Sequence, residues 1–331
     1  MKSTSSTTDI ILTSTMNIWP FIEYCEKKGF DWQAVAEECE LPVEMMDKKH
    51  WLPTKDIMLF LFGLERRYGY LIGIEIGRFV TVKQLSPELD SKVQQCDSLS
   101  EGIQLLVSEM PKLNNHVIVW TEMIDGKWWL CHRSAFRDST PGFEQAEWFR
   151  TLAMINFCRR FIDGYWQPQQ AKLVSSDTNA DKLPVSFTKT QIAFGQTFGA
   201  FTVPLPDGFH PISEQTRDAD WHHSVSKLID TYAPLPWFNI KWFSTLLGMT
   251  PRTLQRNLGQ QELTFRELRD NARRDHAIKL LGEEGVSTHE VAWRVGYDDL
   301  SNFNRAFRKW TGYTAPAYRK QVLKPGKSYG V

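Results

Sequence analysis

Apolar and polar residues follow two rhythms along this chain. Through the first hundred residues the apolar positions recur at helical spacing, which predicts helices over Ile18–Lys28, Trp32–Glu40, Lys55–Tyr68 and Ser100–Glu109. Phe60, Leu61 and Leu64 share one face, as do Ile103, Leu106 and Val107. From His116 to Ile124 the rhythm shortens to alternation, and Lys127–His132 follows after Asp125-Gly126, which predicts a β-hairpin. Helical spacing returns over Phe143–Phe161. Lys172–Val174, Gln191–Phe194 and Ala200–Val203 read as short strands. Three prolines and a glycine between Val203 and Pro211 oppose both helix and central strand. Everything after that break reads as helix.

The pattern predicts a two-domain chain, with a mixed α/β N-terminal domain at 1–210 and a linker at 211–220. An all-α C-terminal domain follows at 221–322, with a tail at 323–331. In the C-terminal domain, Ser287-Thr288-His289-Glu290 has the form of a capping box, and Val291, Ala292 and Val295 supply an apolar side. Gly296 ends that helix and Tyr297-Asp298-Asp299 makes a turn. The next helix, from about Leu300 to Trp310, buries Phe303, Ala306, Phe307 and Trp310. The same grammar stands earlier. Ile240, Phe243, Leu246 and Leu247 form a face, Gly248 breaks the helix, and Thr250-Pro251 starts another in which Leu254 and Leu258 point inward. A long helix over Thr264–Leu281 joins the two units as a rigid spacer.

Charge sharpens this picture. The net charge of the 331 residues is zero, yet Gln215–Val331 holds 18 Lys+Arg against 12 Asp+Glu. A basic module beside an acidic one fits a nucleic-acid-binding domain attached to a sensing or assembly domain. The outer face of the last long helix carries Ser301, Asn302, Asn304, Arg305, Arg308 and Lys309, and the earlier unit presents Arg252, Thr253, Gln255 and Arg256. These residue types hydrogen-bond base edges and phosphates, and a short helix, glycine turn and polar second helix fit the major groove. Arg252, Gln255, Ser301, Asn302 and Arg305 are expected at bases; Arg256, Arg308 and Lys309 at phosphates. One such pair alone could be plain helices with solvated basic faces. Two in tandem point to double-stranded DNA.

The same residues carry a family resemblance. Gly248 through Arg256 resembles the first recognition segment of AraC-type transcription regulators, and Gly296 through Gly312 is similar to that family's second unit nearly position by position. The resemblance covers about Trp221 to Lys320. It implies a seven-helix domain with both recognition helices in successive major grooves, and promoter control through contact with RNA polymerase. Two places depart from the pattern: Ala315-Pro316 shifts the usual proline by one, and Ser244 stands where a small Ala is common. More loosely, Trp129-Leu130-Cys131-His132-Arg133 and the helix from Glu147 to Arg159-Arg160 resemble the effector-binding and dimerisation domain of one branch. That resemblance implies a small-molecule effector held by residues such as Trp129, His132, Arg133 and Arg159, and a homodimer.

Other chemistry is poorly supplied. Five scattered cysteines (Cys25, Cys39, Cys96, Cys131, Cys158) suit a reducing cytoplasm, with neither disulfide framework nor zinc spacing. The longest apolar run, Ile57 to Leu64, is far short of the ~18 residues of a membrane span. Met1 to Asn17 reads as a frayed tail. No phosphate loop, paired-carboxylate site or hydrolase elbow stands out, so no enzyme, cofactor or metal is expected. Arg133, Arg150, Arg159 and Arg160 could hold an anionic effector, against which stands a solvated helix face, Arg150 above all. An N-terminal domain that binds a protein partner instead of a ligand is the alternative.

Overall fold

The computed structural model describes residues 9–46, 50–69, 71–178, 180–183, 187, 189–215 and 220–323. In chain order the elements are β1 (Leu12–Ser14), α1 (Trp19–Lys28), α2 (Trp32–Glu38), β2 (Trp51–Pro53), α3 (Thr54–Tyr68), α4 (Ile72–Gly77), α5 (Val82–Leu85), α6 (Pro87–Val93) and α7 (Leu99–Glu109). Then come β3 (Ile118–Ile124), β4 (Lys127–Arg133), α8 (Phe143–Arg159), β5 (Gln170–Lys172), β6 (Gln191–Ala193) and β7 (Gly199–Thr202). The remainder is helical: α9 (Trp221–Tyr232), α10 (Ile240–Leu246), α11 (Pro251–Gly259), α12 (Phe265–Gly282), α13 (Thr288–Arg294), α14 (Leu300–Thr311) and α15 (Ala315–Tyr318). The chain divides into two compact units, Ile11–Ala219 on one side and Asp220–Val331 with Met1–Ile10 on the other.

In the first unit a five-stranded sheet runs in the order β3-β4-β7-β5-β6, antiparallel except for the β5–β6 pair. The hairpin turns at Asp125 and Gly126, both left-handed (φ 49° and 71°), as a two-residue turn between twisted strands requires. Along β4 the alternation is strict. Trp128 and Leu130 enter the main core, while Trp129 and Cys131 pack on the other face with Trp120 and Ala200. α8 lies between the sheet and α3 and α4, so it is enclosed nearly all round: Glu147, Trp148, Phe149, Thr151, Leu152 and Phe157 are all buried.

Three expectations are corrected here. The segment read as a tail contains β1, fully buried and paired antiparallel with β2, Leu12 opposite Pro53; residues 1–8 lie outside the described ones. Arg150 is on no solvated face, because an enclosed α8 has none to give it; the side chain is partly buried between two cavities. The chain also remains on the first unit beyond the prolines. Thr121 N donates to Ile212 O at 3.0 Å, Ile212 N donates to Thr121 Oγ1 at 2.8 Å, and Arg133 pairs with Glu214 at 2.6 Å. Residues 216–219 and 324–331, which fall in the expected linker and tail, are outside the described residues. No helix among the described residues is long and apolar enough to cross a membrane.

Candidate nucleic-acid interface

Seven α-helices, α9 to α15, make up the described part of the second unit. Its two short helix pairs start by local chemistry. Thr250 caps α11 by accepting from Thr253 N at 3.2 Å, with Pro251 in the first turn. Asp299 caps α14 by accepting from Asn302 N at 2.7 Å. α12 begins with a complete capping box between Thr264 and Glu267. At α13 only half of the expected box forms. Ser287 accepts from Glu290 N, whereas the Glu290 carboxylate turns to Arg294 at 2.5 Å.

Each pair buries one face and leaves the other free. Leu254 and Leu258 of α11, and Phe303 and Phe307 of α14, have no exposed surface. Ser244, fully buried where α10 crosses its neighbours, hydrogen-bonds Ile240 O. Ala315 is likewise sealed, and Pro316 occupies the first turn of α15 behind the polar faces. Gly248 and Gly296 close α10 and α13 with left-handed backbones (φ 66° and 82°). At Gly296 space is decisive too: a Cβ there would stand 2.7 Å from Pro234 O and 2.8 Å from Arg273 Nη2.

The faces that remain are those the sequence points to. Arg252, Gln255, Arg256, Ser301, Asn302, Arg305, Arg308 and Lys309 are exposed. Arg305 donates to Asn302 Oδ1 one turn away, which holds the pair side by side. Two expected residues sit deeper. Thr253 is half-buried and bonded to the Thr250 hydroxyl at 2.9 Å, and Asn304 is half-buried with its Oδ1 sealed and unpartnered. The ion pairs divide the basic residues. Arg266, Arg269 and Arg274 of α12 are matched to carboxylates, while among the described residues Arg252, Arg256, Arg305, Arg308 and Lys309 form no ion pair. Five cations without an ion pair among the described residues thus stand on α11 and α14.

Sequence reasoning missed Arg273. It lies buried in the middle of α12, with Nε donating to Ala233 O at 2.8 Å and Nη2 to Leu235 O at 3.2 Å. Its guanidinium stacks 5.1 Å from the Tyr297 ring centre. Burial, then the charge of Arg269, lowers its pKa. This side chain joins the turn before α10 to the turn before α14. A polar residue inside an apolar stripe was its only signal.

Of the four expected effector residues of the first unit, His132 and Arg133 border one cavity, while Trp129 and Arg159 lie apart from it. Trp129 is covered by Lys172, whose Nζ lies 4.6 Å from the ring centre. Arg133 leaves the same face over Trp120 and pairs with Glu214. His132 is buried on the opposite face, with Nε2 3.1 Å from Thr151 Oγ1 and Nδ1 accepting from Arg150 Nε at 3.1 Å. Since arginine only donates, His132 carries its proton on Nε2 and is neutral. Arg159 lies apart, bonded to Trp166 O and Asn156 Oδ1, both at 2.8 Å. Among the described residues no cluster of His, Cys, Asp or Glu is placed to hold a metal ion.

Residues 243–321 match the family model described as a helix-turn-helix domain. An uncharacterized HTH-type transcriptional regulator of Mycobacterium tuberculosis (strain ATCC 25618 / H37Rv) is 37% identical over 75 residues, covering 23% of this chain and 22% of that protein. The ornithine utilization regulator of Pseudomonas aeruginosa is 38% identical over 74 residues, 22% of each chain. The chain thus spans about a fifth of the length of the curated relatives it matches. Among solved structures, the transcriptional regulator CdpR from Pseudomonas aeruginosa aligns over 92% of this chain and 98% of its own at 19% identity and TM-score 0.38. The family assignment rests on sequence. The second unit is a DNA-binding helix-turn-helix domain. It is of the AraC type, as the segments Gly248–Arg256 and Gly296–Gly312 indicated.

Proposed function

We propose that this protein is a sequence-specific transcription regulator that lays α11 and α14 into successive major grooves on one face of DNA. One observation carries the reading: on the outer faces of these two capped helices Arg252, Arg256, Arg305, Arg308 and Lys309 form no ion pair among the described residues, while Arg266, Arg269 and Arg274 of α12 between them are matched to carboxylates. Phosphates complete such cations, and in this reading Arg252, Gln255, Ser301, Asn302 and Arg305 donate to base edges. α12, pinned by Arg273, keeps the two helices at a fixed separation. The first unit acts as the sensing domain for a small molecule and as the contact for a second copy, and RNA polymerase is the partner at the promoter. No catalytic step is assigned to it.

The test is retention of sheared genomic DNA by the purified protein at near-physiological salt, followed by sequencing of the retained fragments. A shared motif with two half-elements about one helical turn apart is expected. Retention without a shared motif would leave only phosphate binding and overturn the base-contact assignments.

A further inference from the structure

Enclosed α8 carries one cation, Arg150, into the interior of the first unit, where it lines two cavities. The first, about 130 Å³, is walled by apolar side chains among them Ile18, Phe21, Met58, Leu61 and Leu106. The second, about 390 Å³, is the more polar of the two and lies by His132, Ser134 and Gly199. Arg150 spends Nε on neutral His132, and among the described residues its terminal nitrogens have neither a hydrogen bond nor an ion pair. The neighbouring carboxylate, Glu147, is already used: it accepts from Val174 N and Ser175 N, both at 2.8 Å, and from the Ser175 hydroxyl. The other polar groups on the apolar wall serve one another, Thr13 Oγ1 lying 2.8 Å from Thr54 Oγ1 and 3.0 Å from His116 Nε2. An unpaired cation at the edge of an apolar enclosure is costly until an anion completes it.

We infer that this cavity binds an alkyl monocarboxylate, its head on the Arg150 guanidinium and its chain among the side chains of α1, α3 and α7. One cation on an otherwise apolar or self-satisfied wall matches one carboxylate better than a multiply charged phosphate. The inference deepens the sensing role proposed for this unit and depends on it only for the effect on DNA.

The full-length protein is titrated calorimetrically with octanoate, decanoate and dodecanoate, and with the alcohols of the same lengths. Saturable one-to-one binding of an acid is expected, with the matching alcohol weaker by about tenfold or more, the worth of a charge-assisted hydrogen bond. Arg150→Gln should remove that preference. Ala153→Phe, which keeps Arg150 and fills the cavity from α8, should abolish binding of both. Equal affinity for acid and alcohol overturns the role of Arg150, and it does so on the unaltered protein even if Arg150→Gln does not fold. Undiminished binding by Ala153→Phe overturns the cavity, and no binding at any length overturns the proposal. Binding as described with unchanged affinity for DNA would uphold the site while the sensing role failed.

Discussion

Arg273 donates from Nε to the carbonyl of Ala233 at 2.8 Å, tying the middle of α12 to the turn ahead of α10. The bond is local in space but spans 40 residues of chain, and it decides how α12 can hold two helix pairs at once. Nη2 reaches Leu235 O, and the ring of Tyr297 packs on the guanidinium from the other side. Arg273→Met is therefore expected to leave Ala233 O without a donor, while Leu235 O keeps only Phe238 N, and to destabilise the second unit by roughly 1–3 kcal/mol. Arg273→Lys keeps the charge but not the fork, and should recover little of it. Hydrogen exchange at the amides of α12 to α14 checks this. Protection equal to the unaltered protein in both variants would show that the stripe of apolar residues alone holds the units together.

Gly199 and His132 impose a second demand. A Cβ at Gly199 would lie 2.1 Å from His132 Cε1, and the imidazole is fixed by Thr151 and Arg150. Gly199→Ala should cost the first unit roughly 1–3 kcal/mol through overpacking. Adding His132→Ala should return part of that loss. Strictly additive losses in a double-mutant cycle would mean that the two positions do not share one space.

How legible this molecule was depended on the distance over which each feature is encoded. The helix pairs of the second unit are written in neighbouring residues: Thr250, Ser287 and Asp299 cap, Gly248 and Gly296 turn, and Leu254 or Phe303 point inward, so the elements and their polar faces could be read directly. The β3–β4 hairpin was legible for the same reason, through Asp125-Gly126. Arg150 was not. Its burial follows from α8 being covered by the sheet on one side and α3 and α4 on the other, and a helix enclosed on every side shows no polar stripe. Arg273 was hidden likewise, since its partners Ala233, Leu235 and Tyr297 come together only when the helices pack. Short β1 escaped because three residues carry no period, and its register depends on β2, which lies 39 positions ahead.

The neutral state of His132 gives a pH dependence of defined sign. Burial, then the charge of Arg150, pushes its pKa well below the ordinary 6.5. As the pH falls below about 6.5, the unfolded chain binds a proton that the folded chain refuses, so stability is lost toward acid and kept above that value. His132→Gln offers a donor to Thr151 and an acceptor to Arg150 without titrating. Its stability should fall less steeply, by up to about one proton, as the pH drops below about 6.5. Asp56, pushed up to about 6 by burial, acts in the opposite sense but is present in both proteins, so their difference isolates the histidine. Parallel curves would place the proton elsewhere.

Arg305 and Arg308 lie one turn apart on α14 and should fail differently. Arg305 is held by Asn302 on the exposed face near the helix start, where a recognition helix meets base edges. Arg308, exposed one turn further on and free of any ion pair among the described residues, suits a phosphate. Arg305→Ala should cost ~1–3 kcal/mol on the best site and relax preference at a single base pair. Arg308→Ala should weaken every sequence alike and reduce the slope of log affinity against log salt by about one. Titrations on the best site and on single-mismatch sites, each at several salt concentrations, separate the two behaviours. If Arg305→Ala kept both affinity and preference, α14 would not be reading the groove. A sequence-selective loss at Arg308 would instead mean that α14 sits about one helical turn further along the groove.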